Sequence, residues 1–76
     1  MTRIIRYFDK QDESLVGEFK VGELQLAELQ LLFEVDSSNP MYDSFQIKSE
    51  MIPYFSAFTN HPFNFSQYDY FLEFDT

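Results

Sequence analysis

The sequence contains no cysteine, so neither a disulfide nor a zinc site built on thiolates can support the fold. A chain of 76 residues predicts a single domain, residues 1–76, which buries only about 60% of the surface that its unfolded form exposes. Stability must then come from packing, for which ten phenylalanines and five tyrosines supply large buried areas. Because these rings exceed what so small a core needs, some should reach the surface, where aromatic residues anchor protein interfaces.

Basic residues are also few, since five lysines and arginines oppose thirteen acidic residues and leave a net charge of −8. This balance argues against direct binding of nucleic acid or of an anionic membrane through phosphate neutralisation. It favours a basic protein partner. The alternative is that the acidity only keeps a small aromatic-rich protein soluble.

Long apolar runs are missing, and no segment approaches the length needed to span a membrane. The first ten residues, MTRIIRYFDK, lack the apolar stretch of a signal peptide. We therefore expect a cytoplasmic protein.

Alternation of apolar and polar residues predicts a β-hairpin at the start of the chain. Residues 3–8 form the first strand, DKQDES is a polar turn, and LVGEFKV is the second strand. Gly17 within the second strand indicates a bulge or a close approach of the backbone.

Helical spacing replaces this alternation in GELQLAELQLLF, where two sets recur every three or four residues: Leu24, Ala27, Leu31 and Leu26, Leu29, Phe33. A helix of about three turns is predicted there, followed by turn residues in EVDSSNPMYD and a short strand in SFQI. The segment SEMIPYFSAFTN predicts a second short helix if Ser49 caps it and Pro53 lies in its first turn. With a last strand over residues 68–75, the pattern indicates an α+β fold.

The last strand should present two different faces, because alternate side chains of a strand point to opposite sides. The core face carries Tyr68, Tyr70, Leu72 and Phe74, together with Ile5, Tyr7 and Phe19 from the first two strands. The opposite face carries Asp69, Phe71, Glu73 and Asp75 from the last strand and Ile4, Arg6 and Phe8 from the first. A phenylalanine among three carboxylates is poor core and a sensible binding surface. If the first and last strands are neighbours, Phe8 and Phe71 share that surface.

Catalysis is not expected from this sequence. The single histidine, His61, lies between Asn60 and Pro62 in a predicted turn, without serine or cysteine at any recognised motif spacing. We expect a turn residue whose ring hydrogen-bonds the backbone. Asp12 and Glu13 are better explained as solvating the hairpin turn than as metal ligands, and no cofactor is predicted.

Two segments, YFDKQDESLVGE and IPYFSAFTNHPFNFSQYDYFLEFD, resemble the cloacin immunity protein family, small acidic inhibitors of colicins that cleave ribosomal RNA. The features that match the family are Tyr7 to Lys10, Gly17 and Glu18, Pro53, Asn60 and His61, Tyr70 and Phe71, and Phe74 and Asp75. The resemblance covers about two-thirds of the chain and is weaker over the first helix, which is longer and more regular than the family's.

The resemblance implies a small twisted antiparallel sheet of about four strands with one main helix packed on one face. It also implies that rings at Phe8 and Phe71 form a toxin-binding face, that a third ring of the family falls on Leu15, and that the position of Ser44 contributes to partner choice. With strand alternation, the predicted toxin-binding residues are Arg6, Phe8, Asp9, Leu15, Glu18, Ser44, Asp69, Phe71, Glu73 and Asp75.

The function implied is that of an immunity protein, resident in the cytoplasm or released with its toxin, which binds a cognate basic nuclease domain one to one. Bacteriocins and contact-delivered toxins would need the same kind of inhibitor. The alternative is a generic acidic protein-binding module, or a mimic of nucleic acid that binds some other basic protein.

Overall fold

Four strands form one antiparallel sheet in the order β2-β1-β4-β3. The computed structural model describes residues 2–21 and 24–75, and the side chains of Thr2 and Asp75 lie outside this description. The strands are β1 (Thr2–Asp9), β2 (Leu15–Lys20), β3 (Phe45–Ile47) and β4 (Tyr68–Asp75). The helices are α1 (Leu26–Leu32) and α2 (Ile52–Phe55), and a 3-10 turn (Ser49–Met51) leads into α2. The predicted α+β class with one main helix and a second short helix is confirmed.

The first hairpin contains a β-bulge in β2. Tyr7 pairs with Gly17 but Phe8 pairs with Leu15, so Val16 is an extra residue on β2. A Cβ atom on Gly17 would lie 2.8 Å from the Tyr7 hydroxyl oxygen, closer than real Cβ contacts. The bulge expected near Gly17 is therefore confirmed, and the group that approaches Gly17 closely is the Tyr7 side chain instead of a second backbone segment.

The core lies between the helices and one face of the sheet, which we call the inner face. On β4, Tyr70 and Leu72 are each 1% exposed, and Ile5 on β1 is fully buried. Leu29 of α1 and Phe55 of α2 complete the same cluster. The rings of Tyr7, Phe19 and Tyr68 pack against its edge. The predicted core side of β1 and β4 is confirmed for Ile5, Tyr70 and Leu72. Phe74, which was also predicted to lie in the core, is only partly buried and contacts Tyr42 and Arg3 instead.

Helix α1 is shorter than predicted, with two turns instead of three. It begins at Leu26 after an extended Gln25, and Leu24 packs against the core from outside the helix. Residues 22 and 23, where we expected it to begin, lie outside the described residues. Neither of the two rows predicted at helical spacing faces the core as a whole. Leu31 is 81% exposed and Leu26 is 39% exposed, whereas Leu29 is fully buried.

The carboxyl end of α1 has two backbone hydrogen bonds that close a Schellman motif. The Val35 amide donates to the Gln30 carbonyl at 2.9 Å, and the Glu34 amide donates to the Leu31 carbonyl at 3.3 Å. Glu34 adopts the left-handed conformation (φ 57°) that glycine usually takes there. The Gln30 side chain is 8% exposed and donates to the carbonyls of Ser37 and Asn39, which holds the following loop against the helix.

The second helical segment confirms the position predicted for Pro53 but not the cap predicted for Ser49. Pro53 lies in the first turn of α2, where its missing amide costs no hydrogen bond. Ser49 begins the 3-10 turn and makes no side-chain cap; Lys48 and Met51 are the capping positions, also without side-chain caps.

Among residues 2–21 and 24–75, no helix has the length and apolar character required to cross a lipid bilayer.

Candidate protein-binding face

The sheet face opposite the core, which we call the outer face, is set by the register of three strands. Arg6 pairs with Glu18 on β2 and with Phe71 on β4, while Phe8 pairs with Leu15 and Asp69. Directly paired residues send their side chains to the same side of a sheet. The outer face therefore carries Ile4, Arg6, Phe8, Leu15, Glu18, Lys20, Gln46, Asp69, Phe71 and Glu73.

Phe8 and Phe71 form an aromatic pair near the middle of the outer face. Their ring centroids lie 5.7 Å apart with an interplanar angle of 78°, an edge-to-face arrangement. Both side chains are half-buried. The sequence-based expectation that the two rings share one surface is confirmed.

A chain of polar contacts crosses the outer face from β2 to the segment preceding β3. Arg6 Nε contacts Glu18 Oε1 at 3.1 Å, and Arg6 Nη1 forms a second ion pair with Glu73 Oε1. Hydrogen bonds to Glu73 and then to Glu18 raise the pKa of Arg6 above its usual value. Ser44 Oγ donates to Glu73 Oε2 at 3.0 Å, so both carboxylate oxygens of Glu73 have partners.

A third ion pair flanks the aromatic residues at the hairpin end of the sheet. Lys10 Nζ lies 3.2 Å from Asp69 Oδ1, and the two side chains are 43% and 33% exposed. An exposed pair of this kind contributes little to stability and is screened by salt. Lys10 can therefore exchange Asp69 for another partner at small cost.

A shallow groove of about 310 Å³ opens between these contacts. Its lining combines two rings, three carboxylates and one hydroxyl: Phe8, Phe71, Glu13, Asp69, Glu73 and Ser44. Five of these six residues belong to the predicted toxin-binding set. An apolar floor with acidic walls suits a ligand that is both cationic and partly apolar.

Two predicted site residues are not placed with the others, and a third lies at the edge. Asp9 pairs with Tyr68 of the core face, and its carboxylate accepts the Gln11 amide at 2.7 Å, so it shapes the hairpin turn. The side chain of Asp75 lies outside the described residues. Leu15 is on the outer face beside Phe8 and is 53% exposed.

Ile4 points to the outer face as predicted, but it is only 2% exposed. It lies on a central strand between Lys20 of β2 and Glu73 of β4. The aliphatic stems of long charged side chains can cover an apolar neighbour while their charged ends reach water. Ile4 is therefore covered within the outer face and is absent from the accessible surface.

Glu13 and Lys10 are the residues of this surface that sequence reasoning missed. Both lie in the hairpin turn, where polar residues are ordinarily explained as solvation. Asp12 does have that role, because it accepts hydrogen bonds from the Ser14 amide and hydroxyl, which lower the pKa of its carboxyl group. Glu13 instead adopts a left-handed conformation (φ 60°) and lines the groove.

His61 lies far from this chemistry, in an aromatic cluster beside the core. Its ring stacks on Phe19, with centroids 4.3 Å apart and planes 18° from parallel, and it also contacts Tyr7 and Phe63. Its backbone amide donates to Thr59 Oγ1 at 3.1 Å. Packing therefore holds the ring, where we had expected a hydrogen bond to the backbone. Burial lowers the pKa of His61.

A family model described as a domain of unknown function, DUF7683, matches residues 2–73. The chain belongs to the DUF7683 family. Among curated proteins, none matches it. The DUF7683 match spans β1, β2, β3, both helices and β4 as far as Glu73, and its description assigns no activity. Within the described ranges of this DUF7683 domain, no group of three or more histidine, cysteine or acidic residues could hold a metal ion.

Proposed function

We propose that this domain is an immunity protein that binds and inhibits a cognate basic nuclease toxin domain through its outer face. The toxin would be an RNase of a colicin-type bacteriocin or of a contact-delivered system. The observation that carries the proposal is the Phe8–Phe71 pair, two touching rings in a sheet face that the described helices leave uncovered. Aromatic anchors inside a polar rim are typical of the energetic centre of a protein interface.

Charge supports the same class of partner. A nuclease that grips RNA needs a basic surface, and this chain carries a net charge of −8. Complementary charge accelerates encounter between proteins and disfavours wrong partners. The domain would then compete with RNA for the basic surface of the toxin, in a one-to-one complex.

The polar chain on the outer face supports binding by a prepared surface. Arg6 is held between Glu18 and Glu73, and Ser44 holds the second oxygen of Glu73. Side chains that are already fixed lose less conformational entropy when a partner binds. This arrangement favours a tight and specific complex over a loose electrostatic one.

Co-purification of the tagged chain from its native host tests the proposal. We expect a stoichiometric complex with a basic protein domain encoded immediately upstream, and loss of that domain's RNase activity when the chain is added in equal amount. Capture of a housekeeping basic protein, without nuclease inhibition, would contradict it.

That contrary outcome would favour the second candidate, an acidic module or nucleic-acid mimic that binds another basic protein. The net charge alone supports this candidate as well as it supports immunity. The ring pair separates the two, because a mimic of nucleic acid relies on charge and should tolerate Phe71→Ala, whereas an aromatic-anchored inhibitor should not.

A further inference from the structure

We propose that the groove lined by Phe8 and Phe71 receives one arginine side chain of the partner protein, with Glu13 as the carboxylate that pairs with its guanidinium group. This inference rests on the proposed function, in that a protein partner supplies the arginine. It adds the chemical group recognised at the centre of the outer face and a residue that determines specificity.

The carboxylates that line the groove are not all paired with cations. Of its three carboxylates, Glu73 is paired with Arg6 and Asp69 with Lys10. Glu13 makes no side-chain hydrogen bond or ion pair with the residues that the structure describes. Among the carboxylates that line the groove, Glu13 is therefore the one without a cationic partner, and it lies beside the two rings.

The rings favour guanidinium over ammonium. Phe8 and Phe71 meet edge to face at 78°, and both line the groove. Guanidinium is planar and weakly hydrated, so it can lie on a ring while its N–H groups point sideways to a carboxylate. The ammonium of lysine is more strongly hydrated and loses more on leaving water.

The backbone of the hairpin turn fixes the position of Glu13. Its amide donates to the Asp9 carbonyl at 2.8 Å, and the Asp9 amide donates to the Ser14 carbonyl at 2.9 Å. Asp9 and Asp12 each accept a further amide within the turn. Glu13 is therefore held at the groove by a closed turn, as a residue that selects a ligand should be.

Titration with three neutral-capped amino acids tests the inference without the partner. The probes are N-acetyl-arginine amide, N-acetyl-lysine amide and the uncharged isostere N-acetyl-citrulline amide, followed through the NMR signals of the Phe8 and Phe71 rings. We expect the arginine probe to bind with a dissociation constant on the order of millimolar, about fivefold tighter than citrulline. Glu13→Gln should reduce arginine binding to the citrulline level, while Glu50→Gln, an exposed control outside the groove, should leave it unchanged.

Equal shifts with citrulline or lysine, or arginine binding that survives Glu13→Gln, would overturn the inference. Its failure can be told apart from failure of the proposed function. If a nuclease is captured and inhibited but the arginine probe does not bind, the groove assignment alone is wrong. If the probe binds as expected and no nuclease is captured, the groove assignment stands and the partner is a different arginine-bearing protein.

Discussion

Two pairs of aromatic residues, one position apart on the same two strands, have different surroundings. Tyr7 and Tyr70 pair directly on the inner face, with centroids 5.3 Å apart and rings 25° from parallel. Phe8 and Phe71 meet edge to face on the outer face. Around Tyr70 lie further rings, those of Tyr68, Phe63, Phe65 and His61. Around Phe8 and Phe71 the groove is lined by carboxylates and a hydroxyl.

The difference shows that a ring-to-ring contact does not by itself reveal whether a residue supports folding or binding. Tyr70 is 1% exposed because helices and other rings cover it, whereas Phe71 remains half-buried under charged neighbours. The residues around a ring therefore determine what its truncation changes. Truncation on the inner face should change the free energy of unfolding, and truncation on the outer face should change the free energy of binding.

Leu72→Ala on the inner face should have the largest effect of all, a loss of folding stability. Leu72 is 1% exposed, and removing it should lower the free energy of unfolding by about 2 to 5 kcal/mol. Phe71→Ala, the next residue but on the outer face, should cost about 1 kcal/mol, the size of one aromatic pair contact. Urea denaturation of both variants measures this. Equal losses would remove the distinction between the two faces.

For partner binding, truncations on the outer face should cost more than truncations on the inner face. Phe71→Ala and Phe8→Ala should each weaken partner binding by about 2 kcal/mol, chiefly through faster dissociation, as hot-spot rings do. Leu31→Ala removes an 81% exposed leucine on α1 and is the matched control, which should change neither folding nor binding. Surface plasmon resonance with the captured partner gives the rates. Unchanged dissociation of the Phe8 and Phe71 variants would exclude both rings from the interface.

Gly17→Ala should disturb the inner face from the edge strand. The added methyl group would lie 2.8 Å from the Tyr7 hydroxyl oxygen, so the Tyr7 ring must move within its aromatic cluster. We expect a loss of about 1 kcal/mol in unfolding free energy, at the lower end of the cost of overpacking, since the contact is with the end of a side chain. The thermal midpoint measures it. Combining Gly17→Ala with Tyr7→Phe removes the contact with the hydroxyl oxygen and leaves the ring carbons at 3.0 and 3.1 Å, so it should restore part of the loss. A double variant no better than Gly17→Ala would contradict this explanation.

Charge on the outer face should affect the rate of association more than stability. Asp69→Asn with Glu73→Gln should slow binding a few-fold at low ionic strength and flatten its salt dependence, because rim charges steer encounter and are screened. Glu34→Gln with Glu50→Gln removes two exposed charges outside the groove and serves as the control. Stopped-flow rates across ionic strengths provide the measurement. If the association rates of both double variants depend on ionic strength in the same way, net charge alone accounts for the steering.

The smallest expected effect is a dependence of folding stability on pH, caused by His61 beside the inner face. Burial lowers the pKa of His61 in the folded state below its usual 6.5, so the unfolded chain binds the proton more readily. Stability should therefore be fully present above about pH 6.5 and decrease as the pH falls below it. His61→Gln should show a smaller drop in thermal midpoint between about pH 7.5 and about pH 5.5. An unchanged drop would show that other groups cause it.

The sequence predicted most accurately where strand alternation was strong. In β4, alternation places Tyr68, Tyr70 and Leu72 on one face and Asp69, Phe71 and Glu73 on the other. The burial of Tyr70 and Leu72 follows that division. In α1 the apolar residues form two competing rows. Spacing alone could not decide that Leu29 would face the core while Leu31 would be exposed, because the choice depends on where the sheet lies.

Loop contacts could not be predicted, because they join residues far apart without any periodic pattern. Arg3 donates to the carbonyls of Met41 and Pro40, thirty-eight and thirty-seven residues away. Ser44 reaches Glu73 across twenty-nine residues. Within the candidate site, alternation and resemblance gave the ring pair and its acidic neighbours. They did not predict that Glu13 lines the groove, because its position depends on a left-handed backbone conformation in the hairpin turn.

The bulge at Val16 affects the ability of this domain to associate with other copies through the edge of its sheet. Strand β2 is at an open edge of the sheet, where regularly spaced amide and carbonyl groups can recruit a strand from another molecule. The extra residue breaks that regular spacing and increases the local twist of the edge. Beyond it, the exposed charges of Glu18 and Lys20 make further pairing unfavourable. At this edge, the bulge and the two charged residues thus oppose the strand-by-strand addition of further copies of a domain that displays two rings on its surface.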